Sequence, residues 1–162
     1  MILVVMGVCG SGKTTIGEAL AQALGWPFFD ADDFHPEANV AKMASGQPLT
    51  DADRWPWLDG IAAAMHRVLA GGGHAVLACS ALKEAYRIRL QRAGDVRIVY
   101  LKGDEATIAA RLAERQHKYM PASLLPSQFA ALEEPADALV VDIRLSIAAQ
   151  VQCIRDGFAI KA

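Results

Sequence analysis

The stretch that most constrains this chain is Gly7-Val8-Cys9-Gly10-Ser11-Gly12-Lys13-Thr14, which reads Gly-x-x-x-x-Gly-Lys-Thr. Immediately before it stands Ile2-Leu3-Val4-Val5-Met6, an apolar run with no polar alternation, as expected of a parallel strand covered on both faces. Immediately after it, Ile16, Ala19, Leu20, Ala23 and Leu24 fall on one helical face, and Gly25 stops the pattern. In the order strand, glycine loop, helix, main-chain N–H groups converge on an anion and the helix N-terminus adds the positive end of its dipole. The pattern therefore assigns Gly7, Val8, Cys9, Gly10, Ser11, Gly12, Lys13, Thr14 and Thr15 to the phosphates of a nucleotide. Lys13 would hold the β- and γ-phosphates, and the Thr14 hydroxyl would ligate Mg²⁺. A glycine-rich turn without a ligand is the bland alternative, and the flanking strand and helix argue against it.

The rest of the chain alternates strands with helices, which predicts a parallel α/β sheet with right-handed crossovers. Trp26 to Asp32 reads as a second strand ending in carboxylates. Ligands of open parallel sheets sit at the carboxyl ends of the strands, so Asp30, Asp32 and Asp33 are expected beside the phosphates. A carboxylate near the water on Mg²⁺ and another near a substrate hydroxyl suit phosphoryl transfer, whereas solvated turn acids and helix caps would look the same locally. Residues 34–55 read as irregular with short helical pieces, a long connection of the kind that binds or covers ligands. Thr50 to Asp53 offers a helix start, with Pro56 in a first turn, followed by the apolar stripe Leu58, Ile61, Ala62, Met65, Val68 and Leu69.

Ala75 to Cys79 is the third strand. In the helix after it, Lys83 and Arg87 are i,i+4 neighbours expected to face the same crevice, where two cations suit an anionic substrate group; Arg89 and Arg92 read as a solvated face. Val96 to Leu101 and Ala138 to Ile143 are the fourth and fifth strands. Asp104 caps a helix carrying Arg111 and Arg115, and Ser146 caps a last one. Arginines on a flap over a phosphate site can neutralise transferring charge, and a basic helix end favoured by the dipole is the competing reading.

Composition narrows the function classes. With 162 residues, 53% hydrophobic and 21% charged, the chain reads as one globular domain over residues 1–162. A net charge of −2 gives no reason to expect nucleic acid or an anionic membrane surface. No apolar run approaches a bilayer span, and residues 1–6 lack the charged start of a signal peptide. Cys9, Cys79 and Cys153 form no metal-ligand spacing and read as reduced thiols in a cytoplasmic protein.

Several stretches together resemble the gluconate kinases, a group of small P-loop kinases related to shikimate and nucleoside-monophosphate kinases. They are Asp30-Ala31-Asp32 with His35-Pro36; Lys42-Met43 with Gly46-Gln47-Pro48-Leu49; Asp51-Ala52-Asp53-Arg54 with Pro56-Trp57-Leu58; Cys79-Ser80-Ala81-Leu82-Lys83 with Tyr86-Arg87; Tyr100-Leu101-Lys102-Gly103; and Ser127-Gln128-Phe129 with Leu132-Glu133. The resemblance covers about residues 3–143. It implies a P-loop NTPase fold, a three-layer α/β/α sandwich around a five-stranded parallel sheet in the order 2-3-1-4-5. It also implies a substrate-binding segment near 34–55 and a lid near 115–126. The implied reaction is ATP plus D-gluconate giving ADP plus 6-phospho-D-gluconate, with Mg²⁺. The roles that follow are Lys13 on the phosphates, Thr14 and Asp30 on the metal, Asp32 on the acceptor hydroxyl, His35, Arg54, Lys83 and Arg87 on the substrate, and Arg111 and Arg115 closing from the lid. Cys9 stands where the family commonly has serine, and Ile88 to Arg92 depart from the family pattern, which weakens any role for Arg92. The role of His117 stays open, as does a homodimer. The rival readings are a kinase for another small hydroxy acid such as shikimate, and a nucleotide-binding module with no acceptor.

Overall fold

The first strand, β1 (Ile2–Met6), is buried along its whole length. It pairs in parallel with β3 (Ala75–Ala78) on one side and β4 (Val96–Lys102) on the other. β2 (Phe28–Asp30) lies outside β3 and β5 (Leu139–Asp142) outside β4, giving the order β2-β3-β1-β4-β5. This computed structural model describes residues 1–115 and 124–161.

The continuous apolar run of β1 is explained by two cores, one on each face of the sheet. Ile2, Val4 and Met6 point into a cluster with Leu58, Ile61 and Met65 of α3 (Asp51–Ala70) and Tyr86 and Leu90 of α4 (Glu84–Gln91). Leu3 and Val5 point the other way, against Ile16 and Leu20 of α1 (Lys13–Leu24). Ile108 and Leu112 of α5 (Glu105–Arg115) and Val151 and Ile154 of α7 (Ile147–Gly157) complete that second layer. A strand whose two faces both meet helices has no solvent side on which to alternate. Each fully buried aliphatic side chain here is worth about 1.5–3 kcal/mol relative to exposure.

Helix boundaries follow local chemistry. Gly25 ends α1 in the left-handed conformation, φ 68°. Thr50 and Asp53 form a reciprocal capping box at the start of α3. The Ser146 hydroxyl accepts the Ala149 N–H at the start of α7, and the Asp104 carboxylate accepts the Thr107 N–H before α5.

Three expectations change. Residues 34–55 are more regular than their sequence suggests: a 3-10 turn spans Ala31–Phe34 and α2 covers Glu37–Ala44, while α3 begins at Asp51, at the expected helix start. Because the capping box sets that start, Pro56 falls inside α3 rather than in its first turn. The region expected to be lid ends in a helix that periodicity did not reveal, α6 (Leu125–Ala131), whose Leu125, Phe129 and Leu132 pack on the α1 side of the sheet.

Candidate active site

Lys13, Asp30 and Asp32 come together at the carboxyl ends of β1 and β2. The loop after β1 turns sharply: Gly10 has φ 83° and Gly12 φ 98°, left-handed values that side chains other than glycine's rarely adopt. A Cβ on Gly10 would also meet Leu112 of α5 at 2.9 Å. Gly12 is the N-cap of α1, and among the described residues no side chain caps that helix. The first N–H groups of α1 are thus left to a ligand, which is what an anion cradle requires. The Ser11 hydroxyl is buried in this turn without a hydrogen-bond partner among the described residues.

Lys13 folds back over the loop, its Nζ donating to the Val8 carbonyl at 3.1 Å. Burial pushes its ammonium below the ordinary lysine range, against the pull of Asp32 and Asp30. Thr14 is exposed in the first turn of α1 and Thr15 partly so. Asp30 closes β2, and its carboxylate accepts the Asp32 N–H at 2.9 Å, which fixes the turn that carries Asp32. Asp32 is raised above the ordinary carboxylate range, first by the surrounding protein and then by the charge of Asp30, with His35 and Lys13 acting in the opposite sense. Its side chain is 85% exposed, so this acts across a crevice that water still enters. Asp30, Asp32 and Lys13 therefore share one electrostatic neighbourhood, as the sequence reading requires.

His35 lies beside Asp32, its Nε2 3.9 Å from Asp32 Oδ1. Its ring stacks on Trp57 at 4.2 Å and 13°, and Trp57 donates to the Ala31 carbonyl at 2.7 Å. Asn39 Nδ2 donates to the Asp53 carbonyl at 2.9 Å and lies 3.3 Å from His35 Nδ1. An amide nitrogen only donates, so Nδ1 is the acceptor and the ring proton sits on Nε2, 3.9 Å from Asp32 Oδ1. Burial holds His35 below its ordinary range, in the neutral form that this tautomer needs.

Beyond His35 lies a cationic cluster built on Tyr86 and Asp51. Tyr86 donates a short hydrogen bond to Asp51, and Arg54 donates to the Tyr86 hydroxyl at 3.2 Å. Arg54 and Lys83 approach Asp51 at 3.6 and 3.4 Å, and both lie over the Tyr86 ring. Lys83, the N-cap of α4, and Arg54 therefore reach the same place from different elements. The segment beneath them is fixed by Lys42, which binds Asp53 at 2.6 Å.

Two expected substrate or catalytic contacts are placed elsewhere. Arg87 does not face the crevice: it is 5% exposed, and its guanidinium donates to the carbonyls of Ala81, Leu82 and Glu133 at 2.8, 3.1 and 2.8 Å. Ala81 stands at φ 44°, and its carbonyl, with those of Leu82 and Glu133, is satisfied by the buried Arg87 cation. Arg111 reaches the loop after β5, donating to the Ile143 carbonyl at 2.6 Å. Arg115 ends α5; its side chain, together with residues 116–123 of the expected lid and His117, lies outside the described residues.

Comparison with known proteins decides the family. The chain is 53% identical over 137 residues to the gluconokinase of Gluconobacter oxydans strain 621H, covering 83% of this chain and 76% of the relative. It is 41% identical over 164 residues to the thermosensitive gluconokinase of Escherichia coli K12, covering 98% of this chain and 88% of that one.

The chain belongs to the gluconokinase family.

A family model described as shikimate kinase also matches, over residues 9–137, in keeping with the wider kinase group. Among solved structures, a gluconokinase from Sinorhizobium meliloti 1021 superposes with a TM-score of 0.83 at 42% identity, covering 97% of this chain and 90% of that one. An APS kinase from Mycobacterium tuberculosis, solved with AMPPNP and APS, shares the fold at a TM-score of 0.71, covering 98% and 96% of the two chains, with only 18% identity.

Within this gluconokinase fold, sequence reasoning missed several participants. Asp51 stands in a helix start and in a family-like stretch with no role of its own, and Asn39 falls within the 34–55 segment with none. Gln128 lay in a family-like stretch without an assigned role, yet its Oε1 accepts the Cys9 N–H of the phosphate loop at 2.6 Å. The Cys9 and Cys79 thiols are not activated: burial raises Cys9 above its ordinary range and pushes Cys79 up to about 12.

Proposed function

We propose that this protein transfers the γ-phosphoryl group of ATP to the primary hydroxyl of D-gluconate, giving ADP and 6-phospho-D-gluconate. The observation that carries the reading is the succession along one crevice of Lys13, the Asp30–Asp32 pair, and the Arg54–Lys83 cations. Nucleotide binding alone needs only the first of these. The names and high identity of the gluconokinase relatives support the choice of acceptor.

In this reading the loop amides and Lys13 hold the triphosphate, and the Asp32 carboxylate orients the acceptor hydroxyl and takes its proton as the oxygen attacks phosphorus. The bond from the γ-phosphorus to the bridging oxygen breaks as the new P–O bond forms, and ADP leaves with the negative charge. The raised Asp32 carboxyl is a better proton acceptor than an ordinary aspartate. Arg54 and Lys83 bind the sugar acid's carboxylate or hydroxyls, exchanging Asp51 for substrate oxygens, while neutral His35 offers Nε2–H beside Asp32. Arg115, at the end of α5, acts from the lid side to stabilise transferring charge, whereas Arg111 is held at the Ile143 carbonyl. The exposed Thr14 hydroxyl, with Asp30 nearby, would hold Mg²⁺, which would supply neutralisation of the phosphate charge. Among the described residues no helix is long and apolar enough to cross a membrane.

A panel of acceptors in a coupled ADP-release assay with Mg-ATP tests the reading. D-gluconate is expected to turn over, with shikimate and other hydroxy acids at background. Turnover of shikimate without turnover of gluconate would replace the acceptor, and ATP binding without any acceptor-dependent turnover would leave a nucleotide-binding module.

A further inference from the structure

One peptide unit of the phosphate loop is held from both sides. The carbonyl of the Val8–Cys9 peptide accepts the Lys13 ammonium at 3.1 Å and the Ser11 N–H at 3.1 Å. The N–H of that same peptide donates to Gln128 Oε1 at 2.6 Å, across 119 residues of sequence. Because the Cys9 N–H is a donor, the side-chain amide must present its oxygen there. A peptide plane is rigid, so fixing its N–H fixes the direction of its carbonyl, and with it the resting place of Lys13.

The element that carries Gln128 is itself anchored. Leu125 is 3% exposed, and Phe129 and Leu132 pack in the same core as Val8 and Leu112. The end of α6 is tied to the start of α4: Glu133 N–H donates to the Leu82 carbonyl at 2.8 Å, Glu133 Oε1 accepts the Glu84 N–H at 2.9 Å, and Arg87 donates to the Glu133 carbonyl at 2.8 Å. Lys83 of the cationic cluster lies between those two anchor points. Helix α6 thus spans from the phosphate loop to the acceptor side, and Arg87 is part of its mounting.

We propose that Gln128 is a positioning residue for the phosphate loop: it orients the Val8–Cys9 peptide so that the Val8 carbonyl holds Lys13 for the triphosphate. This rests on the loop being a triphosphate site and not on the identity of the acceptor. Gln128→Leu removes the acceptor oxygen at similar volume and leaves the Cys9 N–H without its partner. Loss of one such bond corresponds to about tenfold.

The test reads the Cys9 amide resonance in a ¹⁵N–¹H spectrum of the full chain, and Mg-ATP affinity by titration calorimetry without any acceptor. In Gln128→Leu the Cys9 proton is expected to move upfield and Mg-ATP to bind about tenfold more weakly. In assays, KM for ATP is expected to rise by a similar factor while KM for the acceptor stays within twofold. Gln128→Glu keeps an oxygen that accepts the same N–H, so its Cys9 proton is expected to stay downfield; this variant also serves if the leucine variant does not fold. An unshifted Cys9 proton or wild-type ATP affinity in Gln128→Leu overturns the assignment, as does an upfield Cys9 proton in Gln128→Glu. Failure of gluconate to react, with these shifts present, would count against the acceptor and not against Gln128.

Discussion

In the proposed transfer Asp32 takes the acceptor's proton, and the environment of its carboxyl can be tested directly. The surrounding protein raises its carboxyl first, and the neighbouring charge of Asp30 raises it further. Neutralising that neighbour in Asp30→Asn should therefore lower the titration of the Asp32 carboxyl, read directly by ¹³C NMR of the side chain in the nucleotide-free protein. An unchanged or higher midpoint would mean that the two carboxylates do not sense each other. Arg87 shows the limit of residue-scale reading. Its spacing from Lys83 is correct for a shared helix face, yet the partners that claim it are main-chain carbonyls, one of them on Glu133, 46 positions away. Nothing in the local pattern records that Ala81 takes a left-handed turn or that its carbonyl accepts from Arg87.

Among the elements, the segment between β2 and α3 depends on Asp53. Its carboxylate binds Lys42 and the Thr50 N–H, and these bonds hold it down at about 2, against an ordinary 3.8. A carboxyl depressed in the folded state stabilises the fold above its unfolded value, and that contribution is lost as pH falls through the folded value. The gap in melting temperature between wild type and Asp53→Asn should therefore be complete above about pH 4 and close as pH falls toward 2. A gap independent of pH over this window would assign the effect to something other than the carboxylate's charge. The capping box itself was legible as Thr50 to Asp53, because it is written in consecutive residues. A short helical piece was legible where α2 lies, but not how its Asn39 and Lys42 are fixed, by contacts to Asp53 of α3. The short α6 (Leu125–Ala131) likewise owes its place to packing and to Gln128 and Glu133, not to propensity.

For the molecule as a whole, the parallel sheet follows from signals the chain carries openly, while its strand order β2-β3-β1-β4-β5 is what the family resemblance implies. Five apolar runs are separated by helical stripes, and the glycine loop fixes which strand ends carry the site. The two-sided core then accounts for β1 in detail, residue by alternate residue. What local pattern cannot supply is the joining of distant segments across that platform: Gln128 to the phosphate loop, Arg111 to the Ile143 carbonyl, and Asp51 to Tyr86. The central claim is that phosphoryl transfer occurs between Lys13 and Asp32. Single-turnover rapid quench with Mg-ATP and D-gluconate tests it most directly, comparing wild type with Asp32→Asn. The account predicts that the variant binds ATP normally but forms 6-phospho-D-gluconate about 10²–10⁴-fold more slowly. Transfer at the wild-type rate in Asp32→Asn would contradict it.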